Sequence, residues 1–389
     1  MIDAAIIGAG ASGLVAGIRS QESGIRGSGG EGGVVLFERL PRAGKKILAT
    51  GNGRCNLGNA HAPDHLYHNR AFALPALQKF DIRTFFRSLG LLLREDAEGR
   101  LYPRSNTAAS VLDALRLGVL RCGVEICCGT PIDSIEPAGE GFLLNGTIAA
   151  RRVVIAAGGC AAPAQGSDGS GFSLLKQLGH AVVEPRPALV PLTCDSPLLP
   201  MLGGMRCRAE ISIEQNGSAV SSAEGEILFA RDGISGIAAM EVSRHALPGS
   251  MAVLDLLPEF SLEQTRALLS ELARACPEQP LAGILPGLLP RRIGEAALRA
   301  GGDPAVNLKR FVFSVTGTRG FAQAQVTAGG ADVAQFNSET MESRLHKNLY
   351  ACGEVLDVDG GCGGFNLHWA FASGWAAGGG RCCEIDIPT

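Results

Sequence analysis

The first apolar run of the chain, residues 4–7, is short and uninterrupted and leads straight into a glycine turn at 8–13. A run of that kind suits a strand buried on both faces. Helical spacing of apolar residues follows over 11–21, and a second apolar run at 34–38 ends in Glu38. The order predicted is strand, tight turn, helix, strand. A Gly/Ser-rich stretch at 24–33 predicts a surface loop between the helix and the second strand. Helical patterns recur at 81–89 and 107–122, the latter stopped by Gly123. Short alternating strands are predicted within 124–148. Residues 153–157 form another continuous apolar run into Gly158-Gly159, as a buried parallel strand requires, and a helix is predicted from about Gly169 to Gly179.

The style changes after Pro185. Pro187, Pro191, Pro197 and Pro200 punctuate a crossover, then 206–214 alternates up to Asn216-Gly217, a strong hairpin signal. This predicts an antiparallel unit. Ser261 is placed to cap a helix over 261–276, and further helices are expected within 281–300. The parallel-sheet style returns near Phe321, with a strand at 349–352 and a long helix at 366–382. The simplest organisation is one α/β nucleotide-binding domain made from both ends of the chain, 1–186 and 323–389. Into it is inserted a β-plus-helix domain, 187–322, helical over about 260–305.

Composition narrows the function classes. With 46% hydrophobic and 19% charged residues, the 389-residue chain can bury a sizeable core. A net charge of -3 and a pI near 6.2 give no electrostatic support for nucleic-acid binding. The longest basic runs are pairs such as Arg151-Arg152 and Arg291-Arg292. The twelve cysteines include no Cys-x-x-Cys pair; Cys127-Cys128 and Cys382-Cys383 are adjacent. They read as reduced thiols of a cytoplasmic protein, with no metal site. Met1-Ile2-Asp3 runs directly into a strand and does not read as a targeting segment. No apolar stretch of about 18 residues is present to span a membrane.

Three segments carry chemistry. Gly8-Ala9-Gly10-Ala11-Ser12-Gly13 lies between a strand and a helix, with an acid ending the next strand. Gly8 allows the tight turn, Gly10 lets a pyrophosphate approach, and Gly13 lets the helix pack on the sheet; Glu38 would accept from ribose hydroxyls. Gly44-Lys45-Lys46 and Thr50-Gly51-Asn52-Gly53-Arg54-Cys55-Asn56 are glycine-rich, cationic and amide-bearing. Such backbone either lies flat on a planar anionic ligand or is an ordinary polar loop. Gly353-Glu354 ends a strand, and Gly360 to Gly364 then lead through Phe365 into Asn366 and the last helix. The acid would bind ribitol hydroxyls and the helix end would stabilise charge on a reduced flavin, which favours FAD over NAD as resident cofactor.

These segments, with 156–159, 326–330, 102–105, 225–229 and 340–343, resemble one flavoprotein family over nearly the whole chain. It is the family of bile-acid-inducible-N-like reductases and aminoacetone oxidases. The string at 353–360 followed by Gly363-Gly364-Phe365-Asn366 is its most specific mark. The resemblance implies a two-dinucleotide-binding-type, glutathione-reductase-like Rossmann domain with non-covalent FAD and an inserted β-barrel-like domain. It implies Glu38 at the adenosine ribose, Glu354 near the ribitol, and Arg54-Cys55-Asn56 and Phe365-Asn366 near the isoalloxazine. Arg39, Ile132, Ala157 and Gly158 complete the candidate cofactor-binding set. The chain departs from the family at Gly58, where Thr is usual, at Cys362, where Thr is common, and at His368, where Gln is common.

Candidate catalytic residues are Arg54, Cys55, His368 and Tyr102. Cys55 reads as a redox thiol or as packing; no resolving cysteine lies near it in sequence, which favours packing. His180 follows a helix-ending glycine and reads as a cap. His368, in the first turn of the last helix, either reaches the substrate side of the flavin or is structural. Tyr102 and Arg104 either orient a substrate or form a simple turn at Pro103.

One complete dinucleotide fingerprint is present, so NADH or NADPH is expected as a transient donor without a domain of its own. The expected reaction is reduction of a C=C bond conjugated to a carbonyl by hydride from flavin N5, on a small substrate held between the flavin and the insert. The alternatives are an amine oxidase passing electrons to oxygen, a flavin-dependent RNA-modifying protein, against which the charge argues, and a redox sensor without turnover.

Overall fold

The computed structural model describes residues 1–24, 32–61 and 67–379. Most of the predicted loop at 24–33 and the end of the predicted last helix, with Cys382-Cys383, lie outside the described residues. The chain divides into two compact units, Met1–Arg186 with Val326–Thr389, and Pro187–Gln325.

The first unit is built on a parallel core. Ile2–Ile7 pairs in parallel with Val34–Glu38 on one side and with Ile148–Ile155 on the other, Ile7 lying beside both Phe37 and Ile155. Glu125–Cys128 extends the sheet beyond Val34–Glu38, and Leu349–Ala351 runs parallel to Val153–Ile155. The strands end on one edge of the sheet, which brings the residues after Ile7, Glu38, Ile155 and Ala351 together. Ala4, Ala5, Ile6, Val153, Val154 and Ile155 are fully buried, as expected of strands covered on both faces. Two antiparallel strands, Gly141–Leu144 and Ile135–Ala138, complete the far edge.

The strand predicted at 153–157 begins earlier, at Ile148, and ends at Ile155. Two arginines at its middle break the apolar run, and each finds a partner from elsewhere in the chain. Arg151 pairs with Asp3 at 2.5 Å, and Arg152 stacks on Tyr350 at 3.7 Å and donates to the Ala377 carbonyl. The residues after Phe321 form the buried strand Val326–Ala331, but it pairs with Val182–Ala188 in a separate two-stranded sheet instead of rejoining the main one.

Two helices cross on the sheet, Ala11–Glu22 and Phe365–Gly379. Their backbones nearly touch: a methyl group at Gly374 would lie 2.3 Å from the Ser12 carbonyl oxygen.

The second unit is a closed barrel. Its strands run Leu192–Asp195, Gly233–Ser235, Ser218–Ala230, Arg206–Gln215, Met251–Asp255 and Phe311–Thr318, and the last pairs with the first, Thr318 beside Leu192. Alternate residues Ala209, Ile211 and Ile213 are fully buried, facing Phe229, Leu254 and Phe313 in one core. The predicted hairpin forms at Asn216 and Gly217, both at positive φ (51° and 79°), as a tight two-residue turn demands. Ser261 caps Leu262–Ala275 in a reciprocal box with Gln264. This unit ends at Gln325, whose N–H donates to the Leu189 carbonyl.

Among the described residues no helix is long and apolar enough to cross a membrane, and no three His, Cys, Asp or Glu side chains are grouped to hold a metal ion.

Candidate functional site

The glycine turn is tight for identifiable reasons. Gly8 sits at φ 104° with its N–H on the Phe37 carbonyl, and a methyl group at Gly13 would lie 1.9 Å from the Gly8 carbonyl oxygen. Gly10 differs: nothing lies within 4 Å of where its side chain would be. The turn therefore holds the 12-residue helix against the sheet while leaving the helix N-terminus approachable at Gly10. Ala11 and Ser12 open that helix, and the Ser12 hydroxyl bonds the thiol of Cys352, which burial pushes up to about 12.

Glu38 is buried at the end of its strand. One carboxylate oxygen accepts from the Ala9 N–H at 3.0 Å and the other from the Leu40 N–H at 2.9 Å. The acid is thereby fixed against the turn with lone pairs to spare. Arg39 is turned to Asp168, and Lys45 to the Ala164 carbonyl at 2.8 Å. Ile132 is buried in the core after the last residues that pair beside Glu38. Ala157 and Gly158 follow the strand Ile148–Ile155 beside the Gly8 turn, Gly158 at φ 75°.

Glu354 has both oxygens engaged. One accepts from the Thr327 N–H at 2.7 Å and the other pairs with Lys46 at 2.8 Å. Lys46 and Glu354 come from opposite ends of the chain, so the structure joins two segments that sequence could only place in parallel. Thr327, which sequence reasoning did not single out, also accepts from the Cys160 and Ala161 N–H groups. Gly353 turns at φ 76°, donates to Ser373 and accepts from the Trp369 indole; a methyl group there would lie 2.5 Å from the Ser12 hydroxyl.

The loop carrying Arg54 is unusual in its backbone. Gly51, Asn52, Gly53 and Cys55 all lie at positive φ, 55°, 54°, 81° and 57°. For Asn52 and Cys55 this conformation costs on the order of 1 kcal/mol or more each and persists because the surroundings enforce it. The Cys55 side chain is fully buried, and burial pushes its thiol up to about 11. Burial of this kind suits the packing reading of Cys55 better than the redox one, since a reactive thiol needs an exposed, low-pKa setting. Arg54 is exposed, its guanidinium 5.3 Å from the Tyr102 ring, and Tyr102 is buried.

Gly364, at φ 99°, closes on Asn56 and Gly58. Phe365 is buried edge-on to Tyr67, whose hydroxyl donates to the Phe365 carbonyl at 3.0 Å. Asn366 bonds Gly360 through both its amide oxygen and its amide nitrogen, at 2.8 Å each. Both side chains thus shape the loop. The Asn56 amide oxygen is buried and without a partner.

His368 lies against Gly58 and 6.3 Å from the Phe80 ring, and neither ring nitrogen has a partner. Burial lowers it to about 4. The imidazole is neutral at ordinary pH and is a poor proton donor there. His180, expected as a cap, does take its N–H to the Leu175 carbonyl, while its ring bonds Ser343 at 2.8 Å.

The unfolded chain takes up the His368 proton near 6.5, the folded chain only near 4, so the unfolded state binds more protons between those values. Stability therefore falls as pH drops from about 6.5 towards 4, by on the order of 1.4 kcal/mol per unit of separation. His368→Gln is expected to flatten this decline. Urea midpoints of both proteins at about pH 7 and about pH 5 check it, and equal declines would remove His368 as the cause.

The residues present fit an FAD. The open side at Gly10, the fixed Glu38 carboxylate, the cradle of Gly353 over Ser12 and the unpartnered Asn56 oxygen all belong to the strand-end edge of one sheet or the loops against it. That edge is where parallel α/β sheets bind ligands.

Comparison with known proteins agrees. The chain is 36% identical to a 3-dehydro-bile acid delta(4,6)-reductase of Clostridium scindens, over 96% of this chain and 97% of that one. It is 33% identical to a ribosomal RNA dihydrouridine synthase of Escherichia coli, over 96% of each. Among solved structures, a variant of E. coli quinol fumarate reductase FrdA aligns with a TM-score of 0.50 at 18% identity, over 97% of this chain and 69% of that one. The architecture is the Rossmann-type FAD-binding fold. The profile of the HI0933-like protein Rossmann domain matches residues 2–380, and the chain belongs to that family.

Proposed function

We propose that this FAD-dependent oxidoreductase reduces a carbon–carbon double bond conjugated to a carbonyl in a small, steroid-like acid, with NADH or NADPH as transient donor. The observation that carries the reading is the near full-length similarity to a reductase of 3-dehydro-bile acids. The dihydrouridine synthase relative fits the same chemistry, because dihydrouridine is uridine with a ring double bond beside a carbonyl saturated. The common demand is a hydride at one carbon of an electron-poor double bond and a proton at the other.

The residues divide this work by position. Gly10 and the N–H groups at the start of Ala11–Glu22 would take the pyrophosphate, and Glu38 the adenosine ribose. Arg39, Lys45, Ile132, Ala157 and Gly158 would line the adenosine side. Glu354, held by Lys46 and Thr327, would take the ribitol. Gly53, Arg54, Asn56 and the Gly364 backbone would border the isoalloxazine, which supplies hydride transfer when bound. The helix opening at Phe365 offers N–H groups and a positive dipole end to negative charge on the reduced ring. The single fingerprint at Gly8–Gly13 supports a donor that visits the same site and leaves before the substrate enters.

Anaerobic titration tests the reading. NADH or NADPH is expected to bleach the flavin band, and a 3-oxo steroid carrying a conjugated double bond to restore it stoichiometrically. Failure of both nucleotides to bleach it would overturn the donor assignment; peroxide release from aminoacetone without nucleotide would move the protein to the amine oxidases. A second reading, reduction of uridine in ribosomal RNA, rests on the E. coli relative. The same reduced protein, offered unmodified ribosomal RNA, separates the two.

A further inference from the structure

Tyr102 is the middle of a small charged platform. It lies in the strand Arg100–Pro103, which pairs with Leu93–Glu95 so that Arg94 stands opposite Tyr102. The guanidinium of Arg94 lies 5.1 Å from the Tyr102 ring centre and that of Arg54 5.3 Å. A methyl group at Gly51 would lie 3.8 Å from the same ring, so the platform is continuous with the strained loop described above. Both distances are within reach of cation–π attraction.

The charges of this sheet are unevenly matched. Arg83 pairs with Glu95, and Arg100 with Asp96 and Glu98. Among the described residues neither Arg54 nor Arg94 has a carboxylate partner. Arg94 donates to the Asn106 side-chain oxygen at 2.8 Å, from an Asn106 held at φ 59°, and Arg54 only weakly to the Gly51 carbonyl at 3.4 Å. Two like charges thus share one ring within about 10 Å of each other, inside or near the screening length of ordinary buffer. Each guanidinium keeps several of its five donors free in a planar fork, the geometry that takes an oxyanion by two parallel bonds. The acidic residues of the same sheet are committed elsewhere, so the surplus is local in a chain whose net charge is -3.

We propose that Arg54 and Arg94, mounted on Tyr102, hold a carboxylate carried by the substrate. The inference rests on the reductase reading for the substrate's steroid-like body, and adds that the anionic end lies on this platform. Arg94 is then a specificity residue that sequence alone gave no reason to choose.

Binding to the oxidised holoenzyme, with no donor present, tests it apart from turnover. The probes are a saturated 3-oxo steroid carboxylic acid and its methyl ester, followed by titration calorimetry. The acid is expected to bind about 10-fold more tightly than the ester at low salt, as a charge-assisted pair implies, and the advantage to shrink as salt is raised. Arg94→Met is expected to bring the acid to the ester's affinity, and Arg94→Lys to restore part of the difference. The lysine variant guards against a fold defect, since damage would weaken both ligands alike.

Equal binding of acid and ester by the unmodified protein would overturn the proposal, as would an acid preference that survives in the double variant Arg54→Met, Arg94→Met. A rise in the NADPH concentration needed to bleach the flavin, with acid preference intact, would give the arginines to the donor's phosphate and overturn it too. An acid preference in a protein that turns over no enone would uphold this site while removing the reductase reading.

Discussion

Gly13→Ala is expected to give protein that has lost its flavin and most of its stability, while Gly10→Ala folds and loses affinity alone. At Gly13 the added methyl would lie 1.9 Å from the Gly8 carbonyl oxygen and 3.4 Å from the Ala156 side chain. The oxygen is backbone and cannot turn aside. Gly8 has no slack, since a methyl group on it would lie 2.5 Å from the Ala156 carbonyl. Relief requires the helix Ala11–Glu22 to lift from the sheet, and that helix is itself in near contact with Phe365–Gly379 at Ser12 and Gly374. Overpacking in ordinary cores costs about 1–3 kcal/mol, and a clash between two main chains belongs at or above the top of that range. At Gly10, by contrast, an added methyl meets nothing within 4 Å, and the residue's φ of -83° suits alanine. Its cost falls on the ligand that must come close. Flavin absorbance after purification and thermal unfolding of both variants measure the contrast. A Gly13→Ala protein with ordinary melting temperature and full flavin content would refute it.

Glu38→Gln is expected to weaken FAD binding by about 10–100-fold and to destabilise the turn by roughly 1–3 kcal/mol. The carboxylate receives an N–H on each oxygen, from Ala9 and Leu40, in a buried position. Glutamine can accept with one oxygen; its amide NH2 would face the other N–H, donor against donor. Shape is conserved, so the loss reports hydrogen bonding and charge instead of packing. With the roles proposed above, it would reach the cofactor twice, through the group placed to take the ribose and through the turn placed to take the pyrophosphate. Fluorescence titration of the apoprotein with FAD measures it, and an unchanged dissociation constant would show that Glu38 is only a structural brace.

What the chain reveals in one dimension is what short-range physics decides. The turn between the first strand and helix, the Asn216-Gly217 hairpin and the Ser261 cap each depend on residues within a few positions of each other. The residues that escaped notice depend on distant partners. Arg94 acquires meaning only by standing opposite Tyr102, and Thr327 only by meeting Cys160 and Glu354. Arg151 and Arg152 hid half a strand because their partners, Asp3 and Tyr350, lie far along the chain. Phe365 and Asn366 likewise find their partners only in three dimensions, Phe365 edge-on to Tyr67 and Asn366 closing the loop on Gly360.

The strands Val182–Ala188 and Val326–Ala331 bond to each other, and just beyond them Leu192–Asp195 and Phe311–Thr318 do the same. The polypeptide therefore departs and comes back at adjacent points, like the two legs of a hairpin. Loop closure depends only weakly on the length in between. Relatives can then lengthen, trim or resurface the intervening module with little penalty to the sheet that holds the coenzyme.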